Sequence, residues 1–129
     1  MILDTSLLID VMGNDEKALK KLNELRSKGI TFSIPSPVIF ELFSGIERSR
    51  FPSAEKQKVE NLLVDQMVIP LDQRSAEIGG EIDGMLIRMG KRIDAVDAMV
   101  AGIARELNQP IITRDNHFSR INGIKTEKY

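Results

Sequence analysis

Cysteine is absent from these 129 residues. Disulfide staples, thiolate nucleophiles and cysteine-bound zinc are therefore excluded. Histidine occurs once, at His117, so no zinc motif built on several histidines can form. Tryptophan is missing and tyrosine occurs once, at Tyr129, which leaves few rings on which nucleic-acid bases could stack. No apolar run approaches the roughly 20 residues of a membrane helix. Asp4 interrupts the first apolar stretch and no basic segment precedes it. No signal peptide is expected, and the chain reads as intracellular, in the cytoplasm. Charge of one sign is also lacking: the net value is −1 and the pI about 5.9. Nothing global draws this chain to nucleic acid or to an anionic membrane, so a nucleic-acid enzyme of this composition needs a local basic patch. A Gly-x-Ser-x-Gly nucleophile turn is missing, which removes the serine hydrolases.

What is present suits one domain, residues 1–129, around one core: 42% of the residues are hydrophobic. Met1 to Asp4 reads as a buried strand. The segment Thr5 to Gly13 reads as a short helix capped by Thr5 or Ser6. Residues 15–28 form a helix with Ala18, Leu22 and Leu25 on one face and Gly29 as its stop. Residues 30–34 form a strand. Ser36 then caps a helix with Pro37 at its first position; its apolar residues go round most of the circumference, so burial on more than one side is expected. A further helix spans about 53–65, and a short strand lies within 66–71. Asp72 or Ser75 opens a long helix to Met89 with a stripe of Ile78, Ile82, Met85, Leu86 and Met89. The methionines at 85, 89 and 99 follow helical spacing and read as core. Asp94 caps a helix through Leu107 whose inner face is small: Ala98, Ala101, Gly102 and Ala104. Residues 110–113 form a strand, and residues 124–127 an edge strand. Strands alternating with helices predict an α/β fold on a mostly parallel sheet covered on both faces. In such sheets the site forms beyond the carboxyl ends of the strands.

Four acids stand at element boundaries beside apolar stretches: Asp4, Glu41, Asp97 and Asp115. Asp4 and Asp115 follow predicted strands. Glu41 lies in the second turn of its helix and Asp97 in the first turn of its own, where the helix dipole tolerates negative charge. Carboxylates gathered at the rim of a core repel unless a cation joins them. Oxygen-only donors suit a hard ion such as Mg²⁺ or Mn²⁺. Taken singly, each acid also has a purely structural explanation: Asp4 as a cap, Glu41 on a solvated flank, Asp97 as a first-turn acid, Asp115 as a turn residue. The hydroxyls of Thr5, Ser6 and Thr113 flank the acids and either orient them or cap local backbone. His117 reads as ordinary surface. Arg48, Arg50, Arg88, Lys91, Arg92 and Arg114 lie near the acids in sequence and frame a candidate phosphate-backbone track.

The segments LDTSLLID, PSPVIFELFSGI, IDAVDAMVAGIA and PIITRDNHFSRINGIK, in that order and over essentially the whole chain, resemble the acidic motifs of PIN-domain nucleases. Within that family they resemble the VapC-type toxins of prokaryotic toxin–antitoxin pairs. The resemblance implies a three-layer α/β/α sandwich and a Mg²⁺- or Mn²⁺-dependent endoribonuclease that leaves a 5′-phosphate. Asp4, Glu41 and Asp97 would hold the metal, with Asp115 as an outer or second-metal ligand and Thr5, Ser6 and Thr113 in support. It also implies a homodimer and a cognate antitoxin whose segment enters the site. Two other readings remain open on sequence: a PIN nuclease of RNA maturation without an antitoxin, and a non-catalytic module whose acids form a docking surface.

Overall fold

The computed structural model describes residues 1–129. Five short strands, β1 (Ile2–Leu3), β2 (Ser33–Pro35), β3 (Met67–Ile69), β4 (Ile111–Ile112) and β5 (Thr126–Glu127), pair side by side, all parallel. Six helices, α1 (Thr5–Met12), α2 (Glu16–Ser27), α3 (Ser36–Glu47), α4 (Pro52–Leu63), α5 (Gln73–Arg88) and α6 (Ala95–Leu107), complete the three-layer α/β/α sandwich expected from the sequence. Parallel neighbours cannot be joined by tight turns, so the connections up to β4 carry helices. Between β4 and β5 a 3₁₀ turn over His117–Arg120 suffices. No helix is long and apolar enough to cross a membrane.

The strand order is β3-β2-β1-β4-β5. The chain builds outward from β1 to β3, then crosses back to lay β4 on the other flank of β1. The direction reverses between β1 and β4, and a crevice opens beyond the carboxyl ends of these two strands. Ile2, Leu3, Ile34, Ile111 and Ile112 are all buried. Their continuous apolarity reflects a sheet covered on both faces, and each such side chain contributes roughly 1.5–3 kcal/mol on burial.

Several local expectations are corrected. Of the caps the sequence offered for α1, the structure uses Asp4 and not Thr5 or Ser6: Leu7 N donates to Asp4 Oδ1 at 2.9 Å. A carboxylate fixed just ahead of the helix satisfies a first-turn amide and meets the positive end of the dipole. Ser36 does not cap α3. Its hydroxyl accepts from Leu71 N at 3.0 Å, tying the start of α3 to the exit of β3. Helix α3 buries one side only, through Pro37, Val38, Leu42 and Ile46, while Phe40 is 68% exposed. None of the three methionines is core either: Met89 lies past the last residue of α5 and is exposed, and Met85 and Met99 are only half-buried. Asp72 and Ser75 form a reciprocal capping box on α5, and Asp94 caps α6 as the sequence predicts.

The small inner face of α6 explains how α5 and α6 pack. A Cβ placed on Gly102 would run into the Ser75 carbonyl oxygen and lie 2.7 Å from Gly79 N. The two backbones meet glycine to glycine. This contact sets how closely α6 lies on α5, and with it the position of Asp97 in the first turn of α6.

Candidate acidic site

Asp4 leaves β1 at the switch point and is almost wholly buried. Oδ1 accepts from Leu7 N and Oδ2 from the Ser6 hydroxyl at 2.9 Å. The buried Thr113 hydroxyl, one residue beyond β4, accepts from Asp115 N at 2.9 Å and acts on Asp4, favouring its ionised form. Thr113 therefore stands between the two strand ends that carry Asp4 and Asp115. Burial pushes the Asp4 carboxyl above its ordinary range, against the lowering effect of these hydrogen bonds; the charge of Asp115 raises it further.

Glu41 reaches the same rim from α3. Thr5, the first residue of α1, donates its hydroxyl to Glu41 Oε1 at 2.5 Å. Desolvation raises the Glu41 pKa, Thr5 lowers it, and the charges of Asp94 and Asp4 raise it again. Asp97 projects from the first turn of α6. Its carboxyl is pushed up to about 6, first by burial, then by the charges of Glu41 and Asp94, against the lowering contact with His117. His117 Nδ1 lies 3.2 Å from Asp97 Oδ2.

The four acids singled out from sequence thus act on one another in a row, Asp115 on Asp4, Asp4 on Glu41 and Glu41 on Asp97. Segments more than 90 residues apart in the chain share one electrostatic environment. Asp94, read only as a cap, does cap α6 through Val96 N at 3.2 Å, and its charge bears on both Glu41 and Asp97 as well. No three of the Asp, Glu and His side chains converge closely enough to grip one ion as they stand. Glu41 Oε2 and Asp97 Oδ1 nevertheless make no hydrogen bond within the protein, and neither oxygen of Asp115 does. The donor set is all oxygen. Raised carboxyls, repelling neighbours and uncommitted oxygens together fit a hard divalent cation.

Beside the acids, α1, α3 and α4 enclose a groove of about 460 Å³. Thr5 and Glu41 lie on its wall with Ile9, Met12, Arg48 and Lys58. Of the expected basic track, Arg48 therefore borders the site. Arg114 does not remain free for phosphate: its guanidinium pairs with Asp10 Oδ1 at 3.0 Å. Asp10 also accepts from the Tyr129 hydroxyl at 2.7 Å. Sequence reasoning missed His117, Asp10 and Tyr129. For His117, the place two residues beyond Asp115 was the available signal. Nothing local links positions 10 and 129.

A sequence profile described as the PIN domain matches residues 1–124. The tRNA(fMet)-specific endonuclease VapC of Shigella flexneri is 28% identical over 129 residues, covering 99% of this chain and 96% of that protein. Ribonuclease VapC2 of Haemophilus influenzae is 24% identical over the same length, again covering 99% of this chain and 96% of its own. The DNA-bound VapBC structure from Salmonella typhimurium superposes with a TM-score of 0.84 at 28% identity, covering 98% of this chain and 96% of that one. VapBC2 from Rickettsia felis, bound to a promoter DNA fragment, superposes at 0.88 with 23% identity, covering 99% and 97%; that likeness speaks to the fold alone.

Proposed function

This chain belongs to the PIN domain family, and on that premise we propose that it is a divalent-metal-dependent endoribonuclease acting as the toxin of a toxin–antitoxin pair. One observation carries the proposal: mutually repelling acids gather at the sheet's switch point, with Asp4, Glu41 and Asp97 raised by burial and with oxygens of Glu41, Asp97 and Asp115 left unbonded within the protein. Asp4, Glu41 and Asp97 would hold Mg²⁺ or Mn²⁺, with Asp115 as the outer ligand. A bound ion supplies charge neutralisation at the phosphoryl group and lowers the pKa of water.

The chain's own residues prepare that site. Ser6 and Leu7 N fix the Asp4 carboxylate, Thr5 fixes Glu41, and His117 fixes Asp97. Thr113 holds Asp115 N at the distance set by β4. Carboxylates already held by these hydrogen bonds have less to reorganise when an ion and substrate arrive. Arg48, on the groove wall next to Glu41, is placed to meet an RNA backbone phosphate.

The names of the relatives support RNA as the substrate and make transfer RNA the first to test. The VapBC structures support an antitoxin partner, whose segment would enter the acidic rim. A homodimer is part of the same reading. Exposed Phe40, beside a hollow of about 270 Å³ walled by Pro37, Leu71, Val96 and Met99, supports it. The deciding experiment incubates the purified protein with total RNA and with Mg²⁺ or Mn²⁺, with an EDTA arm and an Asp97→Asn arm, and maps the new ends. Cleavage that leaves 5′-phosphates and is lost in both control arms is expected. Equal cleavage by Asp97→Asn would overturn the assignment. No measurable Mn²⁺ binding by calorimetry would favour a docking module instead.

A further inference from the structure

The segment that leaves β5 touches three others in three consecutive residues. Glu127 Oε1 meets Lys21 Nζ of α2 at 2.6 Å. The Lys128 ammonium donates to the Asp115 carbonyl oxygen and, at 3.3 Å, to Asn116 Oδ1. The Tyr129 hydroxyl donates to Asp10 Oδ2 of α1, whose other oxygen holds Arg114. The contacts close a ring: Asp10 to Arg114, along the backbone to Asp115, across to Lys128, then through Tyr129 back to Asp10. Asp115 is thereby fixed on both flanks, by Arg114 before it and by the Lys128 contacts at its own carbonyl and at Asn116. Thr113 holds its amide. Its carboxylate, by contrast, is bound by nothing within the protein. A loop anchored at each neighbouring backbone and side chain, with the acid itself left open, is the arrangement of a positioned functional group.

We propose that Asp10 and Tyr129 are positioning residues for Asp115, acting through the Arg114–Asp10–Tyr129–Lys128 ring that locks the loop after β4. This rests on the nuclease reading above and deepens it, since it says how the outermost acid is set. The components suit the task. Asp10 is well covered by its surroundings, with its side chain only 12% exposed, so its two hydrogen bonds are shielded from water. Tyr129 is half-buried and among the most strongly shifted of the titratable groups: burial, then the bond to Asp10, raise its pKa, so it remains a donor at any physiological pH. A surface ion pair such as Lys21–Glu127 contributes little by itself. The ring differs because its members share partners, and shared partners couple.

Tyr129→Phe and Asp10→Asn test it, with Tyr129→Leu as the harsher change and Asp115→Asn as the reference. In wild-type protein, amide hydrogen exchange at Asp115, whose N–H donates to Thr113 Oγ1, should be slowed; Tyr129→Phe should accelerate it about tenfold while leaving α5 and α6 unchanged. In RNA cleavage, Tyr129→Phe should lower kcat about tenfold with KM little altered. In the Asp115→Asn background the same substitution should have no further effect, because the group it positions is already gone. The protein has one tyrosine and no tryptophan, so ultraviolet emission reads Tyr129 alone. Asp10→Asn should change that emission in the folded protein, since a carboxylate partner is replaced by an amide. Unchanged exchange at Asp115 in Tyr129→Phe overturns the proposal. So does a loss of cleavage that persists in full on top of Asp115→Asn. If wild-type protein cleaves no RNA, the nuclease reading fails separately, and the exchange and emission results still decide whether the ring holds the loop.

Discussion

His117 Nδ1 stands 3.2 Å from Asp97 Oδ2, joining the 3₁₀ turn after β4 to the first turn of α6. The contact opposes the burial that raises the Asp97 carboxyl, which stands at about 6 with both acting. It is the one place where the chain's single histidine meets the acidic row.

Removal of that contact should move the acid limb of activity. His117→Ala takes away a hydrogen bond and a Coulomb attraction that both favour ionised Asp97, so its pKa rises further. The rise of kcat/KM with pH should begin at a higher pH in the variant, with the plateau at high pH little reduced. A pH–rate profile in Mg²⁺ reads this directly. Superimposable acid limbs would show that His117 has no influence on the ionisation that limits cleavage.

Thr5 is the corresponding support for Glu41. Thr5→Val keeps the shape and deletes the donor; Thr5→Ser keeps the donor. We expect Thr5→Val to lower cleavage by about 10- to 100-fold, the usual cost of losing a partner that orients a ligand, and Thr5→Ser to stay within about threefold of wild type. Steady-state kinetics on one mapped RNA decides it, and equal damage from both substitutions would assign Thr5 a packing role instead.

The raised Asp97 pKa also sets a stability trend in metal-free buffer. A carboxyl whose pKa is higher folded than unfolded binds more protons in the native state. Stability is therefore fully supported below about pH 4 and falls as the pH rises toward 6 and beyond. Carrying the charge above that window costs up to about 3 kcal/mol. Asp97→Asn should raise Tm by several degrees at pH 7 and change it little at pH 4. Added Mn²⁺ should reverse the order at pH 7, because only the wild-type carboxylate gains from the ion. Thermal melts across pH, with and without metal, test both signs.

The α5–α6 contact predicts opposite outcomes for two glycines. Gly102→Ala places a methyl against the backbone of Ser75 and Gly79, which cannot swing away. A loss of about 2–3 kcal/mol is expected despite the better helix propensity of alanine. Gly80→Ala, exposed on α5 with nothing within 4 Å, should gain up to ~1 kcal/mol. Urea unfolding of the two variants beside wild type measures the difference.

Periodicity and punctuation made most elements legible in the sequence. The caps at Asp72 and Asp94, the Gly29 stop and the small face of α6 all follow from local backbone chemistry, and the structure has them. The parallel sheet followed from strands too far apart to be hairpins. The four acids were visible because each interrupts or flanks an apolar run, where a charge is conspicuous.

Tertiary structure alone decided which strand lies beside which, and hence that β1 and β4 flank the crevice. It also decided that α3 leaves Phe40 outside, because composition does not say how many neighbours a helix has. The contacts of His117 with Asp97 and of Tyr129 with Asp10 span 20 and 119 positions. A polar side chain carries no periodic signature of its distant partner. Its role is fixed only when the sheet order brings two loops to the same edge, so the sequence by itself determined the elements and their charged boundaries, and packing determined which of those charges meet.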